Sequence, residues 1–188
     1  MTLYLVRHGP THQKTFCGHR DVPADLSDSA AIARLADFLP REALMISSDL
    51  VRARDTATAI ARGQRRLADD AGLREIDFGD WDGRHFSDIA QSDPDLSRRY
   101  WEEPGDIAPP NGESWNAAAA RVSAAVDALM IAAAECPLIV VAHMGAIMTQ
   151  MQRALDGSAT AAMSHRIDPL SVTEIMPGWA LGRINFRP

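Results

Sequence analysis

The sequence predicts an α/β fold: a three-layer sandwich in which a mostly parallel central sheet is flanked by helices. Three observations carry that prediction. Short apolar runs at Leu3-Tyr4-Leu5-Val6, Ala43-Leu44-Met45-Ile46 and Leu138-Ile139-Val140-Val141-Ala142 each lead through a turn into a later segment of helical periodicity. The third run is apolar throughout, as strands buried on both faces are. At 188 residues the chain is long enough for one well-buried domain, spanning 1–188, and too short for two of ordinary size.

The elements follow in order. Gly9-Pro10 stops the first strand, and Pro10 to Ser27 is polar and turn-rich, with Cys17-Gly18-His19-Arg20-Asp21 reading as loop. Asp25 or Ser27 is placed to cap a helix over Asp28 to Leu39, where Ala31, Ile32, Leu35 and Phe38 recur at helical spacing and Pro40 closes the element. After the second strand, Ser47-Ser48 are natural N-cap residues for a helix that carries Leu50, Ala53, Ala57 and Ile60 on one face. Leu73 to Gly83 predicts a short strand. Between Gly83 and Gly112, Pro104, Pro109 and Pro110 forbid long helices, which leaves short ones over 85–91 and 94–101 in a cap-like insertion around 81–112. Its aromatics, Phe86, Tyr100 and Trp101, are expected to pack the cap rather than touch a substrate. Ser114 to Glu135 is the longest predicted helix, with Val122, Val126, Leu129 and Ala133 as its buried stripe. The third strand then delivers His143 to a helix carrying Ile147, Met151 and Leu155, and the stretches 171–176 and 180–186 read as two paired strands at a sheet edge.

Composition excludes several functions. The chain has 19 basic and 25 acidic residues, net −6, which disfavours a nucleic-acid coat. Lys14 is the only lysine and lacks the glycines of a phosphate-cradling P-loop. Cys17 and Cys136 fit no metal-knuckle spacing and neither begins a Cys-x5-Arg loop, so free buried thiols are expected. The longest apolar stretch, Ala117 to Ala134, is broken by Arg121 and Asp127, and no secretory signal precedes the first strand. A cytoplasmic protein that engages no membrane is the expectation.

The chemistry collects at strand ends. Arg7 and His8 follow the first strand, Arg52 lies in the first turn after the second, and His143 follows the third. In an open α/β sheet ligands bind beyond the carboxyl ends of strands, so these residues can meet in one crevice. A guanidinium beside an imidazole at the end of a core strand is costly unless an anion or a proton transfer uses the pair. Two guanidiniums and two imidazoles suit a tetrahedral dianion, because arginine offers forked donors to phosphate oxygens. Neither histidine lies in a HExxH pattern, and close arginines repel a divalent cation, so no metal is expected. His12, His19, His85 and His165 read as surface or loop residues, and Arg98-Arg99 as a solvated helix face.

Leu5-Val6-Arg7-His8-Gly9-Pro10-Thr11 resembles the Arg-His-Gly-x-Thr signature of the histidine phosphatases, the superfamily of cofactor-dependent phosphoglycerate mutase. Ser47-Ser48-Asp49-Leu50-Val51-Arg52-Ala53, Leu73-Arg74-Glu75 with Phe78-Gly79-Asp80-Trp81, Asn111-Gly112-Glu113-Ser114 and Val141-Ala142-His143 follow in that family's order. Gly79-Asp80-Trp81-Asp82-Gly83-Arg84-His85 is similar to the α-ribazole phosphatase branch. The resemblance implies a phosphoglycerate mutase-like fold, with His8 as the nucleophile that becomes phosphohistidine. It implies that Arg7, Arg52 and His143 bind the transferring phosphoryl group and that Glu75 protonates the leaving oxygen, with no cofactor and no metal. Thr11, Gly18 and Met144 complete the implied substrate contacts. Lys14 stands where the family commonly has Asn, and Asp82 where Glu is usual.

The expected function is therefore metal-independent hydrolysis of a small phosphorylated metabolite, with α-ribazole 5′-phosphate or a broad set of small phosphomonoesters as substrate. A phosphoglycerate mutase is the nearest enzymatic rival, and a non-catalytic phosphate- or phosphoprotein-binding module is the rival of another class. The sequence leaves the oligomeric state open, a homodimer included.

Overall fold

The computed structural model describes every residue except Glu135, so the expected helix end at that position lies outside the described residues. Six strands form one sheet: β1 (Leu3–Arg7), β2 (Leu44–Ser47), β3 (Arg65–Arg66), β4 (Leu138–Ala142), β5 (Val172–Met176) and β6 (Ala180–Leu181), in the order β3-β2-β4-β1-β5-β6. The inner strands run parallel and β5 and β6 run antiparallel, closing one edge as the sequence predicts. Among the described residues seven helices accompany the sheet: α1 (Ser29–Phe38), α2 (Val51–Ile60), α3 (Phe86–Ser92), α4 (Pro94–Glu102), α5 (Trp115–Ala133), α6 (Met144–Leu155) and α7 (Ala159–Met163).

The three layers follow from the two-residue period of the strands. Leu3, Leu5, Leu44, Ile46, Leu138 and Val140 face α5, α6 and α7, while Val6, Met45, Ile139 and Val141 face α1 and α2. A third apolar cluster, Trp81, Ile89 and Tyr100, lies under α3 and α4. α5 is long and apolar enough to cross a membrane, yet it lays Trp115, Ala118, Val122, Val126 and Leu129 into the core beside the sheet. Its two charges are paired, Arg121 with Glu113 and Asp127 with Arg153.

Several local expectations are corrected. No strand forms at Leu73 to Gly83; two 3₁₀ turns, Ala71–Leu73 and Gly79–Trp81, stand there because the segment buries residues on no single face. Gly79 has φ +51°, and a Cβ on it would lie 2.2 Å from the Pro110 carbonyl oxygen, so this turn is pressed against the 110–112 loop. The fourth parallel strand is instead β3, a two-residue strand too short to announce itself by periodicity. Asp28 caps α1 by accepting from the Ala31 N–H, in place of Asp25 or Ser27. Leu50 occupies the N-cap of α2, while Ser47 ends β2 and Ser48 accepts the Leu50 N–H. Cys17 is half-buried and Cys136 exposed, so neither is a buried thiol.

Candidate active site

Sheet register brings the site together. Arg7 of β1 pairs with Ala142 of β4, so the next residues, His8 and His143, stand side by side with ring centroids 5.0 Å apart. The His8 backbone N–H donates to the Ala142 carbonyl at 3.0 Å, which locks the two strand ends together. The Gly9 N–H donates to Thr56 Oγ1, whose hydroxyl donates to the Arg52 carbonyl, so the loop after β1 is tied to α2.

The two imidazoles are held in opposite tautomers. His8 Nδ1 lies 2.6 Å from the Gly9 carbonyl, an acceptor only, so Nδ1 carries the proton and Nε2 keeps its lone pair. Burial, and then the positive charge of Arg52, push its pKa down to about 3 against the opposing Gly9 hydrogen bond. His8 is thus neutral at pH 7, with a free nucleophilic nitrogen. Arg52 Nε donates to His143 Nδ1 at 3.1 Å, which makes that nitrogen the acceptor and Nε2 the N–H donor. This Nε2 is buried and has no partner among the described residues. Burial first, then His8 and Arg52, hold the His143 pKa well below the ordinary value, so it too is neutral.

Arg52 is only 1% exposed. Beyond its bond to His143, it donates through Nη1 to the Arg20 carbonyl and through Nη2 to the Cys17 and Gly18 carbonyls. One Nη1 hydrogen remains for a ligand, so most of the fork organises the 17–20 loop while the charge stays beside the two histidines. Arg7 donates through Nη1 to the Ile167 carbonyl, and its buried Nε has no partner among the described residues. Burial lowers its pKa and Glu75 opposes that shift, but a guanidinium remains charged at neutral pH.

Glu75 is buried at the other side of the crevice. Its Oε1 accepts from the backbone N–H groups of Ile76 at 3.0 Å and Ala146 at 3.3 Å, and Oε2 accepts from Gly145 at 3.2 Å. The carboxylate therefore rests on the amino end of α6, whose N-cap residue is His143. A Cβ on Gly145 would come within 2.5 Å of Glu75 Oε1, so only glycine admits this approach without displacement. The segment carrying Glu75 is clamped from three sides. Arg121 donates to the carbonyls of Gly72, Arg74 and Glu75 and forks onto Glu113, Arg74 forks onto Asp49, and His19 Nε2 lies 2.9 Å from the Glu75 carbonyl.

Arg7, Thr11, Glu75 and Met144 line one crevice of about 300 Å³, with His8, Arg52 and His143 buried close by. Gly18 is the exception among the expected contacts. Its N–H donates to Asp82, its carbonyl is taken by Arg52, and a Cβ there would strike the Ile76 carbonyl at 2.6 Å, so it packs the loop and offers no donor to a ligand. His19 is a loop residue as expected, and its Nε2 lies 2.9 Å from the Glu75 carbonyl. Arg98 and Arg99 pair with Glu102 and Glu103 on the exposed face of α4, as a solvated helix face should.

Other residues gain a role that periodicity did not reveal. Asp82 accepts from the Gly18 and Arg20 backbone N–H groups and from Arg20 Nε, so the shorter acid still organises the loop that Arg52 holds from the other side. Phe78, Phe86 and Trp101 line the crevice rather than only packing the cap. The signal available for them was an aromatic cluster placed between two glycine- and proline-rich turns beside Glu75.

The histidine phosphatase superfamily (branch 1) matches residues 3–183. A bifunctional protein of Mycobacterium tuberculosis is 32% identical over 91% of this chain, which spans about half, 49%, of that relative's length. An adenosylcobalamin/alpha-ribazole phosphatase of Salmonella typhimurium is 28% identical over 96% of this chain and 93% of its own. A glucosyl-3-phosphoglycerate phosphatase of Mycolicibacterium vanbaalenii is 34% identical over 77% of this chain and 70% of its own. Among solved structures, Bacillus stearothermophilus YhfR superposes with a TM-score of 0.85 at 28% identity, covering 96% of this chain and 94% of its own.

Proposed function

We propose, for a chain that belongs to the histidine phosphatase superfamily, that it hydrolyses small phosphomonoesters through a phosphohistidine on His8. The observation that carries this reading is the tautomer pair: a neutral His8 with a free Nε2 lone pair, its ring beside that of His143, whose Nε2–H has no partner among the described residues. A nucleophile and a phosphoryl-oxygen donor are thereby supplied by adjacent strand ends.

In the first step His8 Nε2 attacks phosphorus, the P–N bond forms, and the bond from phosphorus to the alcohol oxygen breaks. Glu75, as the carboxylic acid, gives its proton to that departing oxygen. The charge on the transferring oxygens is balanced by Arg7, by Arg52 and by the His143 N–H, which suits a loose in-line displacement helped mainly by positioning and fixed charge. In the second step water attacks phosphorus, Glu75 accepts its proton, the P–N bond breaks, and orthophosphate and neutral His8 are restored. The guanidiniums supply the positive charge this chemistry needs, so the reaction is assigned no metal.

The likeness to α-ribazole phosphatases makes α-ribazole 5′-phosphate the first substrate to test, with other small phosphomonoesters beside it. The test of mechanism is trapping with a ³²P-labelled substrate, quenched in alkaline detergent. An acid-labile, alkali-stable phosphoenzyme is expected in the wild type and not in His8→Ala. Full turnover by His8→Ala would overturn the reading.

A further inference from the structure

Arg52 takes its direction from a row of carbonyls. Its Nη1 donates to the Arg20 carbonyl at 2.8 Å and its Nη2 to the Gly18 and Cys17 carbonyls at 2.6 and 3.4 Å, while Nε holds His143. Because a guanidinium is planar, these bonds fix its plane and aim the one hydrogen left for a phosphoryl oxygen. The aim is only as good as the loop that carries the carbonyls.

That loop is held from its far side. A trans peptide points its N–H opposite to its carbonyl, so the unit joining Cys17 and Gly18 gives its oxygen to Arg52 and its N–H, at 3.2 Å, to Asp82 Oδ1. Asp82 thus sets which way the Cys17 carbonyl faces. Arg20 in turn grasps Asp82 twice, donating its backbone N–H to Oδ2 at 3.0 Å and its side-chain Nε to Oδ1 at 3.1 Å. The same guanidinium reaches forward through Nη2 to Thr15 Oγ1 and the Phe16 carbonyl, each at 3.3 Å, and to Gln13 Oε1 at 3.4 Å. Gln13, Thr15 and Phe16 line the crevice. One side chain therefore ties the rim of the crevice to the acid behind the Arg52 cradle.

We infer that Arg20 is the positioning residue for Arg52: through Asp82 its side chain sets the carbonyl cradle, and through residues 13–16 it sets the crevice rim. The inference rests on the phosphatase reading for its rate assays, whereas its phosphate-binding assay is independent of that reading. The Arg20 side chain is 41% exposed, and an ion pair so open to water contributes little to folding. Its loss should be felt at the phosphoryl site.

The experiment follows Arg20→Ala in rate, phosphate binding and urea unfolding. The variant should lower kcat by about 10- to 100-fold, the scale of a small misplacement of a reacting-site group. The factor should be the same for glycerol 3-phosphate and for 4-nitrophenyl phosphate, whose leaving group needs no proton, because the fault lies beside phosphorus and not at Glu75. The dissociation constant for inorganic phosphate, read by calorimetry, should rise by about tenfold, the scale of one charge-assisted hydrogen bond poorly met. The urea midpoint should stay close to that of the wild type. Asp82→Asn should cause a loss of the same kind, and the double variant should be no worse than the poorer single one, because the two side chains act as one unit. Values of kcat and phosphate affinity within about twofold of the wild type overturn the inference, as does a loss confined to glycerol 3-phosphate or a double variant whose losses simply multiply. Should Arg20→Ala fail to fold, Arg20→Lys carries the same test, since it keeps the charge but cannot span Asp82 and the rim. A smaller loss of the same pattern supports the inference there, and wild-type values overturn it. If the wild type hydrolyses no ester, the phosphatase reading falls, while weaker phosphate binding by Arg20→Ala still supports the positioning role and equal binding overturns it.

Discussion

The buried floor beside the crevice, His8, Arg52 and His143 with Arg7 at the crevice itself, is polar and anchored to backbone atoms, whereas the crevice's outer wall, Phe78, Phe86, Trp101 and Met144, is apolar and partly open to water. The floor stands on three strand ends whose register is set by ladder hydrogen bonds. The wall is assembled from a 3₁₀ turn, two short helices and the first residue of α6, held by ring contacts. The difference separates two tasks. Chemistry on a phosphoryl group needs fixed dipoles and charges within a few tenths of an ångström, which a sheet provides, while choosing an alcohol needs surface shape, which side chains on short elements provide.

Removing the nucleophile tests the floor most severely. His8→Ala should lower kcat by at least about 10⁴-fold for every phosphomonoester, because no other group replaces the covalent step. A loss confined to one substrate would put His8 in the wall's role and break the distinction. Steady-state rates on a panel of esters decide between them.

Next in size is Glu75→Gln, expected to cost about 10²–10⁴-fold with alkyl esters. The loss should shrink sharply with 4-nitrophenyl phosphate, whose leaving oxygen departs without a proton. Gly145→Ala pushes on the same carboxylate, since its Cβ would meet Glu75 Oε1 at 2.5 Å. It should lower kcat for alkyl esters by about tenfold with little change in KM, on the scale of a misplaced catalytic group. An equal loss with 4-nitrophenyl phosphate would show that the damage lies in the floor.

The pH dependence of stability sharpens the floor further. His8 is depressed from the ordinary value of 6.5 to about 3 in the folded state. Between these values the unfolded chain binds a proton that the native His8 refuses, so stability falls as pH drops through that window and is unaffected by this group above it. His143 adds a contribution of the same sign. Urea midpoints measured between pH 7 and pH 4 should therefore decline less steeply in His8→Ala than in the wild type. Parallel slopes would mean that His8 already titrates normally and is not buried beside Arg52.

The smallest effect is expected away from both regions. Arg121→Lys removes the fork that joins Glu113 to the carbonyls of residues 72, 74 and 75. Burial raises the Glu113 pKa, and the Arg121 hydrogen bonds, the Asp77 backbone N–H and the Arg121 charge together more than offset this, so its net shift is downward. Replacing the fork by a point charge should cost about 1–3 kcal/mol in chemical denaturation, because part-buried carbonyls lose their donors. A change in kcat much larger than that in stability would move Arg121 from scaffold to positioning of Glu75.

The sequence carried the floor almost whole. Apolar runs ending in Arg7-His8 and His143 are local patterns, and a strand that ends in polar residues puts them at the edge of the sheet whatever the rest of the chain does. The helix over Asp28 to Leu39 was legible for the same reason, although the choice of Asp28 as cap depended on which carboxylate the turn aimed at the Ala31 N–H. The strand expected over Leu73 to Gly83 was misread because its backbone bonds go to distant partners. Arg121 takes the carbonyls of Gly72, Arg74 and Glu75, and Glu113 takes the Asp77 N–H, leaving no ladder for a strand to join.

By itself, then, the sequence indicated the α/β class and the strand ends that carry Arg7-His8, Arg52 and His143, since these are local patterns of residue type and spacing, whereas Glu75 entered only through the family resemblance. Only the tertiary structure decided the tautomers of the two histidines, the commitment of Gly18 to Asp82 and Arg52, and the turning of Phe86, Trp101 and Met144 toward one mouth. Those outcomes depend on hydrogen-bond partners and packing surfaces that lie up to 91 residues apart along the chain, as Arg52 and His143 do. No periodicity in the sequence records such pairings, because they exist only once the sheet has set its register.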